Sequence, residues 1–545
     1  MAQVKQSDAQ LELPIPPHQP EVVVPLGLVG RLRGAFSAKG STAFAATLLL
    51  MASSLLSGLL GLVRVRYIGV VFGAGTTTDA FNAAFQLPDM LSYFLVGGVG
   101  SISLIRILSR YREAGDDAGA DRALSVVLNG MLVVLGIAIL LAEVLAGVYT
   151  SFFFPSFDAS TTELCTHLTR ILLPGQMFFF AGFVLGARLL VRKIFTYQAL
   201  TPILYNLGII VGGVLLAGRI GVDSLAWGAL GGAFVGAALL NGIGAMRGGL
   251  RYHPVLNLRD PAFLEWLKLS LPLMIGVSLT MADRWILNHY AAADHGGISL
   301  LTVAKNLFNA PFSIIGMAAG AASLPFFSSL FAQGRLYDFN GAVTRSVSRL
   351  LAVSFLVSAV MIALADPLMD LLFRRGRFTH ADAHLAAGYF AVFALTLCLW
   401  SAQGIYARAF YAAGDTLTPA VSGTVITMLS IPIYGLLYRS FGVIGLAVAS
   451  DLGILALTVT MAVLLHRKRL VSLASLEGGE LWRAGLAAVV SYAGAALCAT
   501  YLPHPRGYVG DLLLVGVAGT VWAGLVLGTL VKTRSRLPQQ IRARR

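Results

Sequence analysis

The sequence predicts an all-α polytopic membrane protein of about 14 transmembrane helices. Three observations carry that expectation. Apolar residues make up 57% of the chain and charged residues only 12%, about half the charge of an ordinary soluble domain. Runs of about 18 or more nearly uncharged residues recur, each long enough to cross a hydrocarbon core as a helix. Amphipathic helices with one solvated face, which a large soluble core requires, are scarce.

Taken in order, the expected spans are 43–72, 79–109, 121–152, 161–192, 198–217, 223–245, 263–291, 297–330, 343–373, 384–412, 417–438, 443–465, 481–502 and 510–532. Several exceed one crossing, which tilt or extension into water accommodates. Residues 1–41 precede them as a proline-rich stretch, "QLELPIPPHQPEVVVP" within it, without periodicity or a signal-peptide pattern. That stretch reads as a disordered tail.

The loops set the orientation. Arg31, Arg33 and Lys39, then Arg110 and Arg112, Arg192 and Lys193, Arg247, Arg251 and Arg259, Arg335 and Arg345, and "HRKR" at 466–469 fall on one side, with the basic tail 533–545. The positive-inside bias makes that side cytoplasmic, with both termini inside. Loops such as "GAGTTTD" and "TSFFFPSFDASTTE" on the other side carry no Lys or Arg. One loop breaks the rule: "FRRGRFTHADAH" puts Arg374, Arg375 and Arg377 outside.

The net charge of +14 would suggest nucleic acid in a soluble protein, but here it sits in loops and predicts no such partner. Cys165, Cys398 and Cys498 are widely separated, with no CxxC, and read as small buried hydrophobes. No Walker loop, GxSxG, HExxH or helically spaced carboxylate pair occurs. The chain reads as a non-enzyme without cofactor or metal. Any transport would draw on the membrane potential or an ion gradient, the former worth about 2.3 kcal/mol per charge per 100 mV.

Chemistry-bearing residues lie inside the spans. Arg64 and Arg66 interrupt "GLLGLVRVRYIGVVFGAG", and on a helix they point about 200° apart. A guanidinium inside a bilayer faces a water-filled cavity or a partner, or snorkels to the interface; both readings stand for each arginine. A cavity arginine suits phosphate, which its planar fork binds bidentately. "LTMADRWILNHY" places Asp283 and Arg284 in the seventh span, and "LLTVAKNLFNAP" places Lys305 and Asn306 in the eighth. Asp283 is a counter-ion candidate for a cavity cation, or a group near the water boundary. Arg170 and Arg188 in the fourth span are weaker candidates, Arg188 marking the inner interface. In "TTTDAFNAAFQLPDML", Asp79 can cap the second span and Pro88 should bend it.

Several segments together resemble the MurJ (MviN) family of the multidrug/oligosaccharidyl-lipid/polysaccharide exporter superfamily. They are "GLVRVRYIGVVFGAGTTTDAFNAAFQLPDML" (61–91), "TPILYNLGIIVGG" (201–213), "LFRRGRFTHADAHLAA" (372–387) and "ARAFYAAGDTLTP" (407–419). The resemblance implies two six-helix lobes in a V around a central cavity, at 42–246 and 247–465. It adds a C-terminal helix pair at 466–532 that forms a groove for a lipid tail. It implies a lipid II flippase of the bacterial cytoplasmic membrane, moving the undecaprenyl-pyrophosphate-linked disaccharide-pentapeptide outward for peptidoglycan synthesis. The implied partners are lipid II, membrane lipids and other cell-wall synthesis proteins.

Residue by residue, Arg64 matches the family's first-span cavity arginine and Asp79 its aspartate at the start of the second span. Gly58, Ser92 and Gly97 stand where the family carries charge, and Asn306 stands at an eighth-span arginine, with Lys305 beside it. The expected substrate contacts are therefore Arg64, Arg66, Arg284, Lys305, Asn306 and Ser92, with Asp79, Gln86, Pro88 and Asp283 supporting the cavity or a gate. Another undecaprenyl-linked glycan, or a transport-inactive scaffold of the same fold, are the alternatives.

Overall fold

The computed structural model describes the backbone of residues 43–96, 100–275, 279–502 and 507–537. The N-terminal tail, Gly97 and most of the basic C-terminal tail lie outside the described residues. Among those described, the chain is helical apart from turns and one isolated bridge between Arg375 and Phe378.

Numbered by crossing, with segments joined across short breaks, the helices begin with α1 (Ala43–Phe72), α2 (Thr76–Ala84, Gln86–Val96 and Gly100–Glu113) and α3 (Asp117–Phe153). Next come α4 (Ala159–Leu172 and Gly175–Val191), α5 (Thr196–Ile220), α6 (residues 223–247), α7 (Pro261–Ile275 and Leu279–Ala291) and α8 (Gly297–Ala332). The series ends with α9 (Leu336–Ala363 and Ala365–Phe373), α10 (His380–Leu395 and Leu397–Ala412), α11 (Leu417–Phe441), α12 (Val443–Arg467), α13 (Gly478–Tyr501) and α14 (Tyr508–Lys532). Among the described residues, eleven helices are long and apolar enough to cross a membrane, or twelve when the pair in α10, bent by 44°, counts as one. The order agrees with the fourteen expected crossings.

Sequence explains the breaks. Pro88 has no N–H to give Ala84, and α2 breaks between Ala84 and Gln86. The freed Ala84 carbonyl accepts instead from the Thr169 hydroxyl at 3.4 Å. Pro174 separates the two parts of α4. Small residues set the tightest crossing: a Cβ on Gly208 would stand 2.5 Å from Gly232 Cα, and one on Gly212 2.6 Å from Gly228 Cα. Glycines four apart on α5 thus mesh with glycines four apart on α6, as in membrane helix pairs that associate by close backbone contact.

Helices α1 to α6 pack on one another, α8 to α12 form a second group, and α13 with α14 pack along α9. Helix α7 is shared. Its first half lies against α2 and α3, and its second half packs on α11 and α12. The two groups meet at the face that holds the 73–75 and 292–296 turns, where α8 contacts α1 and the start of α2. At the face carrying Arg112, Arg192 and Lys468, no hydrogen bond or ion pair among the described residues joins α1–α6 to α8–α12 directly. There, α7 provides the ties, as in the Arg110–Glu265 pair, whose two hydrogen bonds measure 2.8 and 2.7 Å.

Candidate functional site: a charged cavity between two helix groups

Arg64 lies on the face of α1 turned to α5, which holds α1 through the Ser53 hydroxyl on the Ala199 carbonyl and Asn206 Nδ2 on Ser57 Oγ at 3.2 Å. The Arg64 guanidinium has no hydrogen bond or ion pair among the described residues. It is close enough to interact electrostatically with Tyr205 and with Arg284. Arg284 reaches across from α7 and donates through Nη2 to Asp89 Oδ2 of α2 at 2.6 Å. These two side chains keep 59% and 39% exposure. Tyr205 senses Arg64, Asp89 and Arg284 together.

Beside this group opens a cavity of about 250 Å³, lined among others by Pro88, Asp89, Ser92, Gln176 and Tyr205. Two guanidiniums, one carboxylate and a phenol at its edge give a net charge of one positive unit. Such a hollow can receive an oxyanion, because Arg64 offers an unused planar fork of donors.

The two helix groups are joined at the 73–75 and 292–296 turns by Asp79. The sequence suggested that Asp79 caps its own helix; it does not. The first segment of α2 begins without a side-chain cap, and Asp79 reaches instead to the start of α8. Its Oδ2 accepts from Gly296 N and its Oδ1 from Ser299 N, both at 2.7 Å, and the Ser299 hydroxyl adds a third bond. Helix α8 has no cap side chain of its own, so Asp79 satisfies its first free N–H groups from the other helix group. Gly296, at φ +76°, supplies the left-handed turn, and a Cβ there would press on the Ala74 carbonyl at 3.1 Å. Gln86 supports the same contact: buried, it accepts from Asn288 Nδ2 at 3.2 Å.

The arginine-rich loop also belongs to this contact between the groups. Arg377 N donates to the Val70 carbonyl at the end of α1 at 2.9 Å. Arg374 bridges Asp370 of α9 at 3.2 Å and Asp511 of α14 at 2.7 Å, and Arg375 stacks over Tyr508. The cations are held in place by acids, an aromatic ring and a helix terminus.

Residues 68–517 match the family described as lipid II flippase MurJ. The chain belongs to the MurJ family. Curated relatives include a probable lipid II flippase MurJ of Bdellovibrio bacteriovorus, 28% identical over 77% of this chain and 81% of that protein. The lipid II flippase MurJ of Burkholderia cenocepacia is 27% identical over 71% and 77%. Among solved structures, a lipid II flippase MurJ in an inward closed conformation superposes with a TM-score of 0.73 at 19% identity, covering 89% of this chain and all of that one (100%). An inward-facing MATE-family multidrug transporter of the MOP superfamily gives 0.61 at 17% identity, over 80% and 97%. This MurJ-family chain is a multi-pass membrane protein. The matched segment begins after Arg64 and Arg66, so the cavity arginine rests on the geometry above.

Within the MurJ-family fold, the expected site residues divide. Ser92 and Pro88 line the cavity, and Arg64 and Arg284 stand beside it through Tyr205 and Asp89. Lys305 and Asp283 do not; they pair with each other at 2.9 Å inside the second helix group, where the Tyr434 hydroxyl also donates to Asp283 and Lys305 donates to Ser450 Oγ at 3.2 Å. The rings of Phe393 and Trp400 lie 4.1 and 5.0 Å from the Lys305 ammonium, a cation–π wall rather than a cargo surface. Asn306 turns its amide onto the Thr302 carbonyl of its own helix at 2.7 Å. Arg66 is partly buried, has no pairing among the described residues and does not line the cavity. Arg188, expected at an interface, is buried in a two-bond pair with Asp121.

Sequence reasoning missed Asp89 and Tyr205. Asp89 stood in view, directly after the proline of "QLPDML", and an acid there should have prompted a search for its cation. Tyr205 in an apolar span carries no such signal.

Proposed function

We propose that this chain flips lipid II, an undecaprenyl-pyrophosphate carrying a disaccharide-pentapeptide, from the inner to the outer leaflet of the bacterial cytoplasmic membrane. The mechanism is alternating access, and the product feeds peptidoglycan synthesis. One observation carries the reading: Arg64, without a hydrogen bond or ion pair among the described residues, lies within electrostatic reach of Arg284 and of Tyr205, which lines the cavity, in a MurJ-family fold. A diphosphate passing through hydrocarbon requires such cationic partners and water, whereas its polyprenyl tail can remain in lipid.

The positive-inside rule places the face with Arg112, Arg192 and Lys468 in the cytoplasm. The contacts of α8 with α1 and the start of α2 then lie at the outer face. Two negative charges moving outward gain about 4.6 kcal/mol per 100 mV of inside-negative potential, so the potential drives the loaded step without a nucleotide.

Complementation of a flippase-depleted strain tests the reading. The wild-type chain restores growth, and Arg64→Ala at equal membrane abundance does not; normal growth on Arg64→Ala would refute the role given to the cavity. Gly58 and Ser92, neutral where the family carries charge, favour a second reading with another undecaprenyl-linked glycan as cargo. Tighter binding of undecaprenyl phosphate than of lipid II by the purified protein would select it.

A further inference from the structure

The Asp89–Arg284 pair is a single contact, like Arg122–Asp260 and Arg192–Asp117 and unlike the two-bond pairs, and of these single contacts it is the one whose carboxylate lines the cavity. Arg188 and Asp121 make two bonds, at 2.7 and 3.1 Å, with side chains only 5% and 6% exposed. Arg110 and Glu265 also make two. Arg284 and Asp89 share a single bond between side chains 59% and 39% exposed, and Asp89 lines the cavity. A bidentate buried pair is a fastener. A single wet contact exchanges readily with other ions.

Charge makes the exchange specific. Arg64 and Arg284 bring two positive charges to the group around Tyr205, and Asp89 brings one negative charge. A diphosphate diester carries two negative charges at neutral pH. With Asp89 on Arg284, the loaded site would hold one uncompensated negative charge in a narrow hollow. With Asp89 turned away, the two guanidiniums balance the cargo.

We propose that Asp89 occupies Arg284 in the empty carrier and that the cargo's diphosphate displaces it, so loading exchanges one ion pair for another. The proposal rests on the flippase reading and deepens it. Position gives the exchange a mechanical consequence. Asp89 belongs to α2, whereas the half of α7 bearing Arg284 is fixed to the second helix group by the adjacent Asp283, held by Lys305 and Tyr434. Displacing Asp89 removes a tie between the groups at the cavity, leaving the Gln86–Asn288 bond and the rings of Tyr93 and Phe94 against Trp285. Cargo thereby loosens the arrangement that received it, and Asp89 is a positioning residue that couples binding to movement.

Equilibrium binding of lipid II to the full-length protein in detergent tests this with Asp89→Asn, Asp89→Ser and Arg64→Ala, each checked for a monodisperse elution profile. Both Asp89 variants should bind lipid II about five- to ten-fold more tightly than wild type, the competing carboxylate being gone. Structural damage would not tighten binding. Wild-type binding that is lost in Arg64→Ala but unchanged or weakened in whichever Asp89 variant folds overturns the exchange and leaves the flippase reading in place. Absence of lipid II binding by the wild type overturns both.

Discussion

Asp283 and Arg284 are neighbours on α7 and pair in opposite directions, Asp283 with Lys305 at 2.9 Å and Arg284 with Asp89 at 2.6 Å. Successive helical residues point about 100° apart, so a helix between two groups can present one charge to each. Helix α7 is therefore a shared strut, locked into the second group by a buried pair and held to the first by a solvated one.

The buried side of this strut should be unforgiving. Lys305→Met leaves Asp283 buried without its cation and should cost about 3–5 kcal/mol of stability. Removing both charges, in Asp283→Asn with Lys305→Met, should recover most of that loss. Unfolding in detergent micelles measures it. A Lys305→Met protein of full stability that no longer bound lipid II would move Lys305 into the cargo site.

Much of this was legible in the sequence. Apolar run length placed the long helices, because the bilayer sets a minimum length for each crossing. What stayed hidden was pairing between distant segments. Nothing local says that Asp79 caps a helix starting more than two hundred positions later, since a cap inside its own span satisfies the same rule. The partners of Arg374 stayed hidden for a like reason: the charge rule counts residues, and the acids that hold Arg374, at 370 and 511, are seen only once the chain is folded.

The Asp79 bridge should act as the outer latch. Asp79→Ala leaves the first N–H groups of α8 uncapped, a loss of about 1 kcal/mol, which shifts a two-state balance roughly five-fold toward the outward-open form. A cysteine at His295, beside Gly75 in the closed face, would then react several-fold faster with a membrane-impermeant thiol reagent added outside. Unchanged reactivity would show that other contacts hold the face shut.

Asp415, in the turn between α10 and α11, gives a pH signature outside the spans. Burial raises its pKa, but hydrogen bonds from Lys468 and Thr418 outweigh that and hold the carboxyl at about 2. A carboxylate with a lowered folded-state pKa stabilises fully above its unfolded value and loses that contribution as pH falls through the folded one. The stability difference between wild type and Asp415→Asn should therefore persist from neutral pH to about pH 4 and vanish toward pH 2. A difference independent of pH would mean that the carboxylate's charge contributes nothing there.

The central claim is a hollow that is wet and positive. Ser92 lines the cavity, and Ser92→Cys, in a chain with Cys165, Cys398 and Cys498 replaced by alanine, probes it without touching either arginine. In membranes, a negatively charged methanethiosulfonate should modify this cysteine faster than a positively charged one of similar size, and Arg64→Ala should reduce that preference. No modification by either reagent, or faster modification by the cationic one, would contradict the account.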